Sequence, residues 1–379
     1  MLAEDRLIRN LLQADINQSV SRKVKEALSP DLNWAYFFGR ARSEGLLPLA
    51  YKGLAGIDYA DSVVPEDIRE RLHSSYYTIA ARNALLYEKL NNILDSFNRM
   101  NIEAILLKGI ALARTVYSDI ALRPMYDIDL LIHKQDFSLV KEKLNELGYV
   151  NYPAYPEDFY NQNMMVDVHC DLTNVTRVKS RNRSYNLNID QAWESSRLIE
   201  IEGQRVRILS PEYFLIDLCL HLTLHHGLSG LIWFVDIDRL IKYYKNEIDW
   251  RRFVDTCLRY KIYQPVYYVL SYVKEILGRQ IPHSVLDELK PKRQNWLEKK
   301  VFNSILSGAT LENIRFFFTL SMIELPLDRL MFLREIAFPS PRVLSAKYGI
   351  SPDEPIARGY LTHFKTILSS SLKLLQKIS

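Results

Sequence analysis

The sequence predicts a mainly helical protein with a compact α/β or α+β unit set between two helical regions. Three observations lead there. Only 13 glycines and 15 prolines punctuate 379 residues, too few turn residues for an all-β architecture. Near residue 100 the hydrophobic period shifts from helical to strand-like. After Ser210-Pro211-Glu212 it becomes helical again, behind an N-cap residue, a first-turn proline and a first-turn acid.

The elements follow in chain order. Residues 5–100 read as helical, and the clearest helix opens at Val64-Pro65-Glu66, where proline suits the first turn and acids suit the positive helix end. Ile68, Leu72, Tyr76, Ile79, Leu86, Leu90, Ile93 and Phe97 then recur three, four or seven apart, as one long amphipathic helix or two collinear ones. Residues 102–107 are an apolar run too brief for a helix and stopped by Lys108-Gly109, so they read as a buried strand. A short helix is expected over 110–117, a strand over 127–132, a helix over 136–147 closed by Gly148, and a strand over 164–172. From residue 210 an apolar helix runs to about 227, and further helices follow to the C-terminus. Residues 314–338 are rich in Phe, Leu, Met and Ile but carry Glu324, Pro326, Asp328 and Arg329, which suits a helical core or interdomain face rather than a membrane. The expected division is 1–100, 101–208 and 209–379.

Composition sets the outer limits. With 48% apolar and 25% charged residues the chain is neither disordered nor collagen-like. A net charge of +4 can assist binding of a phosphorylated ligand but does not mark a protein that coats nucleic acid. Cys170, Cys219 and Cys257 are an odd number with no Cys-x-x-Cys spacing, so neither a zinc site nor a disulfide framework is expected. They read as buried thiols in a reducing cytoplasm. The first ten residues, MLAEDRLIRN, lack the apolar stretch of a signal peptide, and no run is long and apolar enough for a membrane span.

The chemistry gathers in one window. Leu106-Leu107-Lys108-Gly109 is followed by Arg123-Pro124-Met125-Tyr126-Asp127-Ile128-Asp129. In a strand side chains alternate, so Asp127 and Asp129 share one face. Like charges so close raise each other's pKa unless a cation neutralises them, and oxygen ligands on one face suit Mg²⁺. Asp167, in Val166-Asp167-Val168-His169, offers a third carboxylate on a neighbouring strand. Three such carboxylates can hold two Mg²⁺ ions, as phosphoryl and nucleotidyl transfer require. His169 shares its face with Asp167 and Asp171, placed either to orient a base or touch substrate, or to serve as a hydrogen-bonded structural histidine. Asp171 competes with Asp167 for the third-ligand role.

Other charged clusters have plainer readings. Asp236-Ile237-Asp238 repeats the Asp-x-Asp letters, but its neighbours follow helical spacing and no glycine turn precedes it, so it reads as a helix surface or cap. His221, His225 and His226 near a helix end read as helix C-terminal electrostatics or core bonding. Arg177, Lys179, Arg181 and Arg183 follow the third-carboxylate strand, either as a solvated loop or as contacts for a triphosphate or anionic acceptor. Lys290, Lys292, Arg293, Lys299 and Lys300 around Trp296 read as surface.

LLKGIAL, RPMYDIDLLI, GYV and VDVHCDL together resemble the nucleotidyltransferase superfamily typified by DNA polymerase β, and more narrowly its uncharacterised nucleotidyltransferase family proteins of bacterial biosynthetic gene clusters. The likeness is strongest over residues 100–172 and extends weakly to His225, Trp233, Asp236 and the FPS sequence at 338–340. It implies an α+β fold: a small mixed-sheet core flanked by N- and C-terminal helical regions. It implies transfer of a nucleoside monophosphate, with AMP expected, from an NTP to an acceptor hydroxyl. Asp127, Asp129 and Asp167 would bind metal and catalyse, with Asp167 as base. Lys108, Gly109 and Arg123 would meet the phosphates, the two cations supplying what Ile110 does not where a serine hydroxyl often stands. His169 and the residues of the basic loop are the expected substrate contacts. The acceptor is not readable from the sequence, and an enzyme adding AMP to a protein or tRNA, or a non-catalytic nucleotide-binding scaffold, would carry the same fold.

Overall fold

The computed structural model describes residues 2–12, 18–57, 60–152, 155–162, 164–173, 180, 185, 187–292, 298–300, 319–323, 325–350 and 355–378. The basic-loop residues Arg177, Lys179, Arg181 and Arg183 lie outside the described residues, as do Arg293, Trp296 and residues 301–318.

The fold is α+β. Helices Ala3–Leu12, Gln18–Ala27, Trp34–Ser43 and Leu47–Ala55 lead to one helix of 34 residues, Glu66–Arg99. Its stripe of Ile68, Leu72, Leu86, Leu90, Ile93 and Phe97 is buried, as the helical spacing requires. Seven strands form a mixed sheet: β1 (Ala104–Leu106), β2 (Asp127–Ile132), β3 (Val150–Tyr152), β4 (Tyr155–Asn161), β5 (Met164–His169), β6 (Arg197–Ile201) and β7 (Gln204–Ile208), in the order β3-β4-β5-β2-β1-β7-β6. β2 lies antiparallel to β1 and parallel to β5, and β7 runs parallel to β1. The β2–β5 register sets Ile128 against Val166 and Leu130 against Val168, all fully buried, and so sets Asp129 against Asp167 on the other face.

β3, β4, β6 and β7 carry no apolar run, which is why periodicity does not announce them. β6 and β7 form a hairpin turning at Glu202 and Gly203, both at positive φ (51° and 79°), the backbone that the tightest hairpin turns demand. Other boundaries also differ from the sequence expectation. The helix after β1 begins at Lys108 and ends at Thr115, and β5 stops at His169. The helix expected to reach 227 runs Pro211–Leu220 and gives way to a wider turn, His221–His225. Ser210 precedes it without a side-chain cap bond; its buried Oγ has no hydrogen-bond partner among the described residues. Cys219 and Cys257 are buried thiols, whereas Cys170 is half-buried. The helix Pro326–Ala337 leaves Leu327, Leu330 and the following Phe338 exposed, so this part of the apolar stretch is not core. No helix among the described residues is long and apolar enough to cross a membrane.

Buried apolar side chains from Leu7 to Met322 form one contiguous core, to which the N-terminal helices, the sheet and the C-terminal helices all contribute. Leu130 sits in the sheet centre with no exposed surface. Leu130→Ala is expected to destabilise the protein by about 3 kcal/mol, read as a lower denaturant midpoint.

Candidate active site

The end of β1 turns directly into the helix Lys108–Thr115, and the Leu107 N–H donates to the Asp129 carbonyl at 3.1 Å. At this turn the left-handed conformation falls on Lys108, at φ 50°, and not on Gly109. A non-glycine residue holds it only where its surroundings impose it. Gly109 is closely approached: a methyl group there would stand 3.2 Å from Met125 Cγ and 3.6 Å from Arg123 Cζ, so Met125 would have to give by a few tenths of an ångström to admit a side chain.

Lys108 therefore points inward. Its Nζ lies 2.5 Å from Asp129 Oδ1 and 3.2 Å from His169 Nε2. His169 Nε2 is 2.9 Å from Asp129 Oδ1 and 3.3 Å from Asp167 Oδ2. All four residues are buried. Burial alone would lower the His169 pKa, but the Asp167 charge and the hydrogen bonds to both carboxylates push it up to about 9. The ring is thus a cation donating between two carboxylates, and Lys108 is its neighbour rather than its hydrogen-bond donor. Burial pushes the Asp129 carboxyl up, yet Lys108 and His169 outweigh that and hold it below the usual carboxylate range. Asp127, one step up the same face, is pushed up to about 7 by burial and then by the Asp129 charge.

Asp129, Asp167 and His169 each bring a ligand atom to within 4.8 Å of the others, the one such group among the described residues. The Asp129 and Asp167 carboxylates are the hard oxygen ligands of this set and would suit a divalent cation, which would take over the charge balance that Lys108 and His169 supply; His169 itself could ligate only after losing its proton. Asp127 is not in that group, although its raised pKa marks the same excess of negative charge. Asp171 is occupied locally, accepting hydrogen bonds from the Thr173 N–H and hydroxyl.

Arg123 is bonded to a different acid, while its charge still reaches Asp127. Its Nε lies 2.8 Å from both Asp236 oxygens, its Cζ lies 4.5 Å from the centre of the Trp233 ring, and the Tyr117 hydroxyl donates to Asp236 at 2.6 Å. Asn83, on the long helix, donates to the carbonyls of Ile120 and Arg123 and fixes the same loop from behind. The second Asp-x-Asp is thus helical, as its spacing indicates, but not a surface: Asp236 and Asp238 are buried, and Asp238 receives both Nε and Nη2 of Arg279. Asp236, from this second copy, anchors Arg123.

His221 Nε2 lies 2.9 Å from His226 Nε2, and His226 stacks on Trp233, so the histidine turn packs behind Arg123. It forms no three-ligand metal group among the described residues. Sequence reasoning missed Asp217, a buried acid facing Lys108 and His169 from the helix Pro211–Leu220. Its signal was available: it is the acid in the apolar interior of PEYFLIDLCL.

Two outcomes follow. Asp236→Asn strands the buried Arg123 charge and is expected to destabilise the protein by about 3 kcal/mol, seen in denaturant titration. Asp217 is pushed up to about 6 by burial, so the folded chain retains a proton that the unfolded chain releases from about its ordinary 3.8. Its contribution is fully present below the unfolded value and is lost as pH rises through 6, an effect on the order of 3 kcal/mol. The stability of Asp217→Asn relative to wild type should therefore increase between pH 4 and pH 7, read as the difference in unfolding midpoints.

Comparison with known proteins adds three findings. The model of a family described as uncharacterised nucleotidyltransferase matches residues 30–278. A comparison with curated proteins yields no significant match. Among solved structures, the solution structure of the antibiotic-resistance factor ANT(2'')-Ia is similar at 14% identity, covering 50% of this chain and 97% of its own, with a TM-score of 0.35.

Proposed function

Because the chain belongs to the uncharacterised nucleotidyltransferase family, whose name denotes transfer of a nucleotidyl group, we propose that it moves AMP from ATP to an acceptor hydroxyl and releases pyrophosphate. The observation that carries this reading is Asp129 set directly against Asp167 across two parallel strands, with Lys108 between the sheet and the turn.

Asp127, Asp129 and Asp167 would hold two Mg²⁺ ions, which when bound polarise the phosphoryl oxygens and offset developing charge. The other roles belong to the chain. Lys108 neutralises Asp129 in the free protein and offers its ammonium to the triphosphate when the nucleotide enters. Arg123, paired with Asp236, would meet the phosphates beside the Gly109 turn with the guanidinium donors that this pair leaves uncommitted. Asp167 accepts the proton of the attacking hydroxyl, and His169, donating to Asp167, holds that carboxylate in place. Lys179 and its basic neighbours belong with the acceptor.

Asp129→Asn and Asp167→Asn are each expected to weaken Mg²⁺-dependent ATP binding more than tenfold in calorimetry while leaving the circular dichroism unchanged. Unaltered affinity in both variants would remove these acids from the site. Incubation of the protein with a cell extract and each of the four labelled NTPs reports the donor, and the fraction that gains label, small molecule, protein or RNA, reports the acceptor.

A further inference from the structure

Helix Leu231–Tyr243 presents Asp236 to the candidate active site, and its next turn presents a different surface. Asp238, Arg239, Lys242 and Tyr243 line an open pocket of about 480 Å³, bordered also by the helices Ala3–Leu12 and Leu47–Ala55, the chain after Thr115, and Arg279. Lys52 completes a set of four cations among the described residues of this lining, beside the acid Asp238. That acid is already engaged, since Asp238 takes both donors of Arg279 at 2.7 and 2.8 Å.

Converging like charges are unfavourable unless an anion offsets them. Two further observations describe these cations. Arg239 lies over the Tyr117 ring at 4.4 Å, and its buried Nε has no hydrogen-bond partner among the described residues. Lys242 is depressed below the ordinary lysine range by burial and then by Arg279 and Lys245.

We infer that this cavity is a second anion site, taking a phosphorylated small molecule on Lys52, Arg239 and Lys242. Ammonium and guanidinium donors suit phosphate oxygens, and the volume suits a mononucleotide or a sugar phosphate. The apolar floor of Leu11, Leu49 and Leu122 takes the part of the ligand that carries no charge. The site is separate from the carboxylate cluster and does not depend on the proposed reaction. It is nevertheless connected to it, because Arg239 covers Tyr117, Tyr117 donates to Asp236, and Asp236 holds Arg123.

Calorimetry with inorganic tripolyphosphate in metal-free buffer tests the site. The double variant Lys52→Gln with Lys242→Gln changes two side chains that are not buried, and should bind at least tenfold more weakly than wild type. Arg239→Gln should do the same. Equal affinity in the double variant, or no binding by wild type at millimolar concentration, would each overturn the inference. Titrations with AMP and with glucose 6-phosphate then separate the two sources of phosphate: whichever binds more tightly to wild type, and loses that affinity in the double variant, identifies the organic part.

Discussion

A lysine ammonium buried against an aspartate at 2.5 Å is the interaction on which the rest of the site depends. Neither group tolerates burial alone, and each is held charged by the other. The pair explains why Lys108 keeps a left-handed backbone that its side chain does not favour: a right-handed turn would direct the ammonium elsewhere. It also explains why the β2–β5 register is strict. A slip of β2 by one residue would turn Asp129 into the apolar layer occupied by Leu130 and bring that apolar side chain to the charged face. His169 extends the same balance to Asp167, leaving Asp127 as the carboxylate whose charge is least compensated.

Much of this was legible in the letters. The long helix, the strands β1, β2 and β5 and the common face of Asp127 and Asp129 follow from local pattern, because each is fixed by a period of 3.6 or 2 or by a short apolar run. The four remaining strands were not legible. Arg197, Glu200, Arg205 and Arg207 alternate on a half-exposed hairpin whose pairing is decided by β1, more than 90 residues away in the chain. Lys108 was visible as a strand-end residue, but its burial depends on Asp129 and His169 arriving from two other strands, contacts that no local pattern encodes.

The second Asp-x-Asp shows the limit most clearly. Its helical spacing was readable, and helical acids are ordinarily solvated. Asp236 is buried because a partner arrives from residue 123, and Asp238 because another arrives from residue 279. Long-range ion pairs have no period. Asp217 belongs to the same class: an acid in an apolar helix signals a distant partner without naming it.

The Arg123–Asp236 pair has a consequence for modularity. A fragment cut to the sheet and its immediate helices, residues 101–208, would retain Asp129, Asp167 and Lys108 yet lack the acid that neutralises Arg123 and the indole that covers it. It would also lose Asn83, which holds the carbonyls of the same loop. The chemistry-bearing segment is therefore not detachable: the helices before and after it act as two halves of a mould, and evolution could exchange one only by replacing its contacts with the arginine loop.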